Sequence, residues 1–437
     1  MTKRNSRRAK QKPAKRLSVE TLEDRRLLAG CADIRDDFTL GLVSCTEEAS
    51  DGYTLVFPNA TSRAHLVDQY GRLVNTWSGG PGGGRFAAYL GPDGSLVSSR
   101  VLSGQPINGA GATGALFMQD WDGNLTWNWT YSTADYRLHH DIEVMPNGNI
   151  LAIAWARISR AETLALGRDP AELPSDGLYG FRIIEIEPTG PTTADIVWEW
   201  NVFDHIIQDF DSSRPGFGVV RDHPELVDIN YGIGDSDWLH TNGIDYNRDL
   251  DQIVVSVRDF DELWVIDHST TTEEAASHSG GNSGKGGDLL YRWGNPAAYD
   301  RGTTADQQIN GQHDAQWVDP GLPGEGNILI FNNGSFGGSS ELVEITPPVD
   351  AQGNYTLPVN DAFAPAEPTW SLFTGINSPI MSGTQRLPNG NTIGAFALDG
   401  QITQYTPDGD EAWTFINPDS GSIRAQGSSS VQGNSIF

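Results

Sequence analysis

Apolar and polar residues alternate along most of the chain in short runs broken by turn residues. The clearest unit is an apolar strand, a Pro-Asn-Gly or Asp-Gly turn, a second strand, and then a strand that ends in tryptophan. Met145-Pro146-Asn147-Gly148-Asn149-Ile150-Leu151 and Leu387-Pro388-Asn389-Gly390-Asn391-Thr392 are near copies, and Gly91-Pro92-Asp93-Gly94-Ser95-Leu96-Val97 is a third. Asn-Gly and Asp-Gly supply the positive φ that two-residue hairpin turns require. The tryptophan-bearing runs are Leu73–Trp77, Leu125–Trp129, Ile196–Trp200, Leu289–Trp293, Pro368–Trp370 and Glu411–Phe415, which imply six units. Unit starts fall near 52, 86, 137, 237, 311 and 380. Their mean spacing exceeds the roughly 40–50 residues of common propeller repeats. The excess sits in Gly-, Ser- and Asp-rich inserts at 158–180, 203–236 and 270–287.

Four-stranded units set radially leave only short, protected edges, so the pattern predicts an all-β, six-bladed β-propeller over residues 51–437. A β-helix is the rival, but these units are too long and their loops too varied. A last strand within 421–433 is expected to pair with the first blade and close the ring. The 50 glycines and 24 prolines suit short strands and tight turns better than helix bundles. No run approaches the roughly 18 apolar residues that would span a bilayer.

Charge divides the chain in two. Residues 1–30 hold ten of the 29 Lys and Arg and three of the 57 acids, leaving 19 basic and 54 acidic residues in the body, whose one lysine is Lys285. Such a surface repels nucleic acid and anionic membranes, because phosphate binding needs clustered Lys and Arg. Residues 1–50 read as a basic leader and linker, disordered or removed, and lack the apolar stretch of an ordinary signal peptide. Within them, Leu22-Glu23-Asp24-Arg25-Arg26-Leu27-Leu28-Ala29 resembles the leader of many extracytoplasmic planctomycete proteins. That resemblance implies a periplasmic, cell-surface or secreted protein; the alternative is a disordered basic tail. Cys31 and Cys45 are either a disulfide formed in an oxidising compartment or two free thiols.

The chemistry collects where blades begin. Histidine is scarce, nine in all, yet it recurs in Leu138-His139-His140-Asp141-Ile142, Trp238-Leu239-His240-Thr241-Asn242-Gly243-Ile244 and Gly311-Gln312-His313-Asp314-Ala315. The innermost strands of a propeller line its axis, so equivalent residues on successive blades converge there. Alternation along a strand puts His240 and Asn242 on one face. Arg258, on the next strand, returns beside His240 through the hairpin. Converging imidazoles also suit a metal, but a guanidinium among them repels a cation. The tryptophans read as blade packing. Trp238 and Phe260 are candidates for holding an aryl ring, and His65, His205, His223, His268 and His278 are expected to be structural or exposed.

The set resembles the bacterial aryl-sulfate sulfotransferases, six-bladed propellers that transfer sulfate between phenols without a nucleotide sulfate donor. The resemblance covers about residues 52–420 and rests on the His-Asp opening with its Pro-Asn-Gly turn, on His240-x-Asn242, on Arg258 eighteen residues after His240, and on His313-Asp314. It implies a transient sulfohistidine at His313, further site residues at His140, His240, Asn242 and Arg258, and ping-pong transfer from a small-molecule aryl sulfate donor to a phenolic acceptor. The His139-His140 pair leaves one residue of register open, and the likeness to His313-Asp314 selects His140. No cofactor is implied. The chain offers no room for the extra N-terminal β-domain of well-known members. A propeller that binds a ligand or surface partner without catalysis is the competing class, since one fold hosts many functions.

Overall fold

The structure, a computed structural model, describes residues 31, 41–58, 63–82, 84–232, 234–334 and 338–417. They form a six-bladed β-propeller in which each blade is an antiparallel sheet. Blade one has the strands Tyr53–Val56, Ala64–Asp68 and Leu73–Trp77. Blade two has Ala88–Leu90, Leu96–Val101, Gly114–Gln119 and Leu125–Thr130, and blade three has Tyr136–Val144, Ile150–Ile158, Leu178–Gly190 and Thr193–Asn201. Blade four has Thr241–Asn247, Gln252–Val257, Glu262–Asp267 and Tyr291–Trp293, and blade five has His313–Trp317, Ile328–Asn332, Glu341–Ile345 and Trp370–Phe373. Blade six has Gly383–Arg386, Thr392–Phe396, Gln401–Tyr405 and Glu411–Ile416.

Blade six takes a fifth, outermost strand, Leu42–Cys45, from ahead of position 51, where only leader and linker were expected. The strand is four residues long, too short to announce itself by alternation, and its last residue is tied to Cys31 by a disulfide. Ring closure among the described residues is therefore made from the N-terminal side. The closing strand expected within 421–433 lies outside the described residues.

The recurring tryptophans bind the ring together. The indole N–H of Trp77 in blade one donates to the Asp120 carbonyl of blade two at 2.9 Å, and Trp127 in blade two donates to Thr193 of blade three at 3.0 Å. Trp200 reaches Gly287 at 2.7 Å, Trp293 reaches Pro365 at 2.8 Å, Trp370 reaches Pro407 at 3.1 Å, and Trp413 returns to Gln69 of blade one at 2.7 Å. Each ring thus packs in one blade and satisfies its donor on the next, as a buried indole must. The innermost strands are joined in the same sense by carboxylates. Asp141 accepts the Ile244 amide at 3.2 Å, Asp245 the Trp317 amide at 2.7 Å, and Asp314 the Thr384 amide at 2.6 Å.

Ion pairs also link blades, Arg386 of blade six to Glu344 of blade five among them. His268 of blade four places Nδ1 2.8 Å from Asp251 and Nε2 3.1 Å from Glu185 of blade three. Burial alone would lower its pKa, but the two hydrogen bonds and the charges of both carboxylates push it up to about 9. Its stabilising contribution is therefore fully present below the unfolded value of about 6.5 and is lost as pH rises through about 9. Replacing His268 with leucine is expected to destabilise the fold by on the order of 3 kcal/mol at pH 6, and by much less at pH 10. Denaturant unfolding of the two proteins across that range measures it.

Candidate active site

The innermost strands of blades three, four and five lie side by side, and each carries an irregularity where its histidine stands. In blade three, Leu138 faces Ala154 and Ile142 faces Ala152, so residues 139–141 stand opposite Ile153 alone. In blade four Asn242 is the extra residue between Thr241 and Gly243, and in blade five the register slips between His313 and Gln316. Bulges of this kind bend a strand and re-aim its side chains. His140, His240 and Asp314 take positive φ of 37°, 44° and 53°. Non-glycine residues seldom adopt this conformation, and it collects at functional sites. The simple alternation that paired His240 with Asn242 is broken here, because His240 stands just ahead of the strand at positive φ and Asn242 is itself the extra residue.

The structure nevertheless brings the expected residues together. His140, Asn242 and His313 line one cavity of about 450 Å³, with Phe86, Tyr89 and Asp314. His240 lies against His140 with ring centroids 4.8 Å apart, and His139 lies 4.1 Å from His140 and 5.4 Å from His240. Arg258 sits in a short 3-10 turn directly after the second strand of blade four, beside the His240 end of the first. Its charge acts on both His140 and His313. Gly111 makes room for the His140 ring, because a Cβ there would fall 1.9 Å from the imidazole. Of the His139-His140 pair, His140 lines the cavity, while His139 packs on Trp155 at 3.9 Å.

Hydrogen bonds orient each group. His313 Nδ1 lies 2.8 Å from Asn333 Oδ1. The Asn333 amide nitrogen donates to the Ser378 and Met381 carbonyls, both at 2.7 Å, which makes Oδ1 the acceptor towards His313. His313 Nδ1 therefore carries the proton, and Nε2 keeps its lone pair, which the Met381 amide meets at 3.2 Å. His240 Nδ1 bonds Asp237 at 2.6 Å, and Asp237 also accepts the Trp155 indole at 2.7 Å. Burial would raise the Asp237 carboxyl, yet the His240 bond, the charges of His139 and His240 and the Trp155 bond hold it below its usual value. His140 Nδ1 lies 3.0 Å from His139 Nε2. Asn242 donates to the Gln312 carbonyl at 2.9 Å, and its Oδ1 is buried with no protein partner. Arg258 is paired with Asp259 at 2.6 Å.

Burial sets the charge states. It lowers the pKa of His139 and of His313 to about 3, and the Asn333 bond only partly offsets this for His313. His140 is pushed well down by burial and then by the charges of His139, His240, His313 and Arg258. The Asp314 carboxyl, half-buried beside His313, is pushed up to about 7 by the loss of water around it. His139, His140 and His313 are thus neutral imidazoles, and Arg258 is a permanent cation beside them. His139, His140 and His240 are close enough to hold a metal, with candidate ligand nitrogens within 4.8 Å of one another. The Arg258 charge acting on His140 favours an anion instead.

Trp238 and Phe260 do not reach the cavity. Both are fully buried, 5.5 Å apart and edge to face, in the blade-four core. Phe86 lines the cavity and meets His140 edge-on at 6.1 Å. Asn333 and Asp237 escaped the sequence reading. Asp237 stands three residues before His240, a spacing that could have drawn notice, whereas Asn333 belongs to no motif.

Comparison with known proteins decides the family. The profile described as Arylsulfotransferase (ASST) matches residues 116–412, from the third strand of blade two to the last of blade six. The chain belongs to the arylsulfotransferase family. The arylsulfotransferase match spans His139, His140, Asp237, His240, Asn242, Arg258, His313 and Asn333, and the family implies small aryl substrates. No curated protein matches the chain. Among solved structures, it is similar to a protein of unknown function from Bacteroides caccae, at 10% identity and TM-score 0.46, covering 86% of this chain and 97% of the other. Virginiamycin B lyase from Staphylococcus aureus is similar at 12% identity and TM-score 0.40, covering 86% and 84%.

Proposed function

We propose that the chain is an exported aryl-sulfate sulfotransferase that moves a sulfuryl group from an aryl sulfate to a phenol through a sulfohistidine on His313, in two half-reactions and with no nucleotide sulfate donor. The observation that carries this reading is the fixed tautomer of His313, whose Nδ1 is committed to Asn333 so that Nε2 keeps a lone pair in a cavity shared with His140 and Asn242. Sulfuryl transfer resembles phosphoryl transfer, in which an electrophile with three oxygens passes in line between nucleophiles.

In the first half-reaction, Nε2 gives up the Met381 amide and attacks sulfur, the bond from sulfur to the aryl oxygen breaks, and the phenolate leaves with a proton from His240. In the second, the acceptor phenol gives up its proton, its oxygen attacks sulfur, and the bond from nitrogen to sulfur breaks. Arg258 is the always-charged partner of the sulfuryl oxygens. In the tautomer that has His140 Nδ1 accept from His139, the His140 Nε2–H donates to the same oxygens. The unpartnered Asn242 Oδ1 suits the hydroxyl of the incoming phenol. His240, oriented by Asp237 as the base of a triad is oriented by its carboxylate, carries the proton between leaving and entering oxygens. Export is supported by the disulfide between Cys31 and Cys45, a bond that persists in oxidising compartments.

The purified protein, given a chromogenic aryl sulfate and a second phenol, is expected to release coloured phenol and sulfate the acceptor in equal amounts. A folded protein that releases none supports the ligand-binding class instead.

A further inference from the structure

A second cluster of imidazoles lies on the inserts, apart from the residues of the transfer site. His205 follows the last strand of blade three, and His278 and Asp288 belong to the segment before the last strand of blade four. His205 is fully buried, Asp288 nearly so, and the His278 side chain is 62% exposed. His205 stacks flat on Trp200, centroids 5.3 Å apart, and Trp200 is itself bonded to the carbonyl of Gly287, next to Asp288.

The hydrogen-bond count at His205 is unusual. Its Nε2 lies 2.8 Å from the Ala275 carbonyl oxygen, which can only accept, so Nε2 carries a proton. Its Nδ1 lies 2.9 Å from Asp288 Oδ1, and His278 Nδ1 lies 2.7 Å from the same oxygen. In a neutral imidazole that arrangement turns the Nδ1 lone pair towards a carboxylate oxygen, so something positive belongs between them. A second proton or a metal ion satisfies it. A ring N–H fixed on a backbone carbonyl while the other nitrogen faces a carboxylate and a second imidazole is the arrangement of metal-ligating histidines.

We infer that His205, His278 and Asp288 form a divalent transition-metal site of the Zn²⁺ class, which clasps the insert after blade three to the insert of blade four. The donor set of two imidazoles and one carboxylate, with a fourth position left to solvent, is one that zinc accepts. Bonds of about 2.0–2.1 Å in a tetrahedral site set ligand atoms roughly 3.3 Å apart. The candidate atoms all lie within 4.8 Å of one another. The His205 and His278 nitrogens stand 2.9 and 2.7 Å from the Asp288 oxygen, so a bound ion would part both from it by roughly half an ångström, and the exposed His278 ring is free to swing towards the ion. In this cluster one carboxylate, Asp288, faces both imidazoles, whereas at the transfer site the Arg258 cation acts on His140 and His313.

The test uses the whole chain, stripped with a chelator and titrated with Co²⁺, whose visible absorption reports its coordination. About one equivalent is expected to bind, Zn²⁺ to displace it, and Zn²⁺ to raise the melting temperature, as ligands of the folded state do. His278→Ala, at an exposed position, is expected to fold, to weaken Co²⁺ binding at least about tenfold, to lose the Zn²⁺-dependent rise in melting temperature, and to release phenol at the wild-type rate. Asp288→Asn should match it in binding, and His240→Ala should bind Co²⁺ as the wild type does. Absence of Co²⁺ binding, or binding unchanged in His278→Ala but lost in His240→Ala, overturns the site. Binding without a rise in melting temperature overturns the clasp.

Discussion

Replacing His313 with alanine is expected to lower turnover of an aryl sulfate by at least about 10⁴-fold, in line with the loss of a covalent nucleophile in other enzymes. The substitution deletes the one imidazole whose proton is held on Nδ1 by a side chain fixed in turn by two backbone carbonyls. The fold should survive. The Asn333 oxygen left unpaired costs about 1–3 kcal/mol, and the tryptophan and carboxylate links between blades are untouched. His140→Ala is the informative companion. If His140 only donates to the sulfuryl oxygens, its loss costs about 10²–10³-fold and leaves the covalent intermediate in place. Steady-state phenol release for the two variants, with folding checked by unfolding curves, separates nucleophile from donor. A His313→Ala protein with a tenth or more of wild-type turnover removes the nucleophile role. Because burial holds His313 near 3, the acid limb of the rate profile at ordinary pH belongs to another group.

Arg258→Ala is expected to cost about 10²–10³-fold in kcat/KM, the range seen when one preorganised oxyanion partner is removed. Lysine restores the charge but not the planar fork that fits two oxygens at once, so Arg258→Lys should recover only part of the loss. The Asp259 carboxylate loses its partner in the alanine variant. Burial already pushes its carboxyl up, which lessens the cost of leaving it without the guanidinium. A merely structural arginine would lower stability and leave kcat/KM of the folded fraction near wild type. Sulfuryl binding lowers kcat/KM while the melting temperature stays within a few degrees.

The propeller was legible because its turns and tryptophans are local signals. Pro-Asn-Gly demands a hairpin wherever it stands, and a tryptophan at each blade's outer edge repeats because every blade must bond the next. That His140, His240 and His313 would stand near one another was legible for a different reason. Histidine is rare in this chain, and its recurrence at blade openings is a position in the repeat. Asn333 was not legible, since it meets His313 only after the strands of blade five pair, twenty residues along the chain. The bulges that carry His140, Asn242 and His313 also stayed hidden, because a bulge changes register without changing the residue types that form it. The strand Leu42–Cys45 is a four-residue case of the same kind: only its partner, the last strand of blade six, makes it a strand.

Mass spectrometry after mixing the protein with an aryl sulfate and no acceptor tests the central claim most directly. The digest, kept from acid, should contain one added SO₃ on the peptide bearing His313, formed together with a burst of phenol equal to the enzyme present, and addition of a phenol should discharge it. An SO₃ group found on another residue, or a full burst from His313→Ala, contradicts the account.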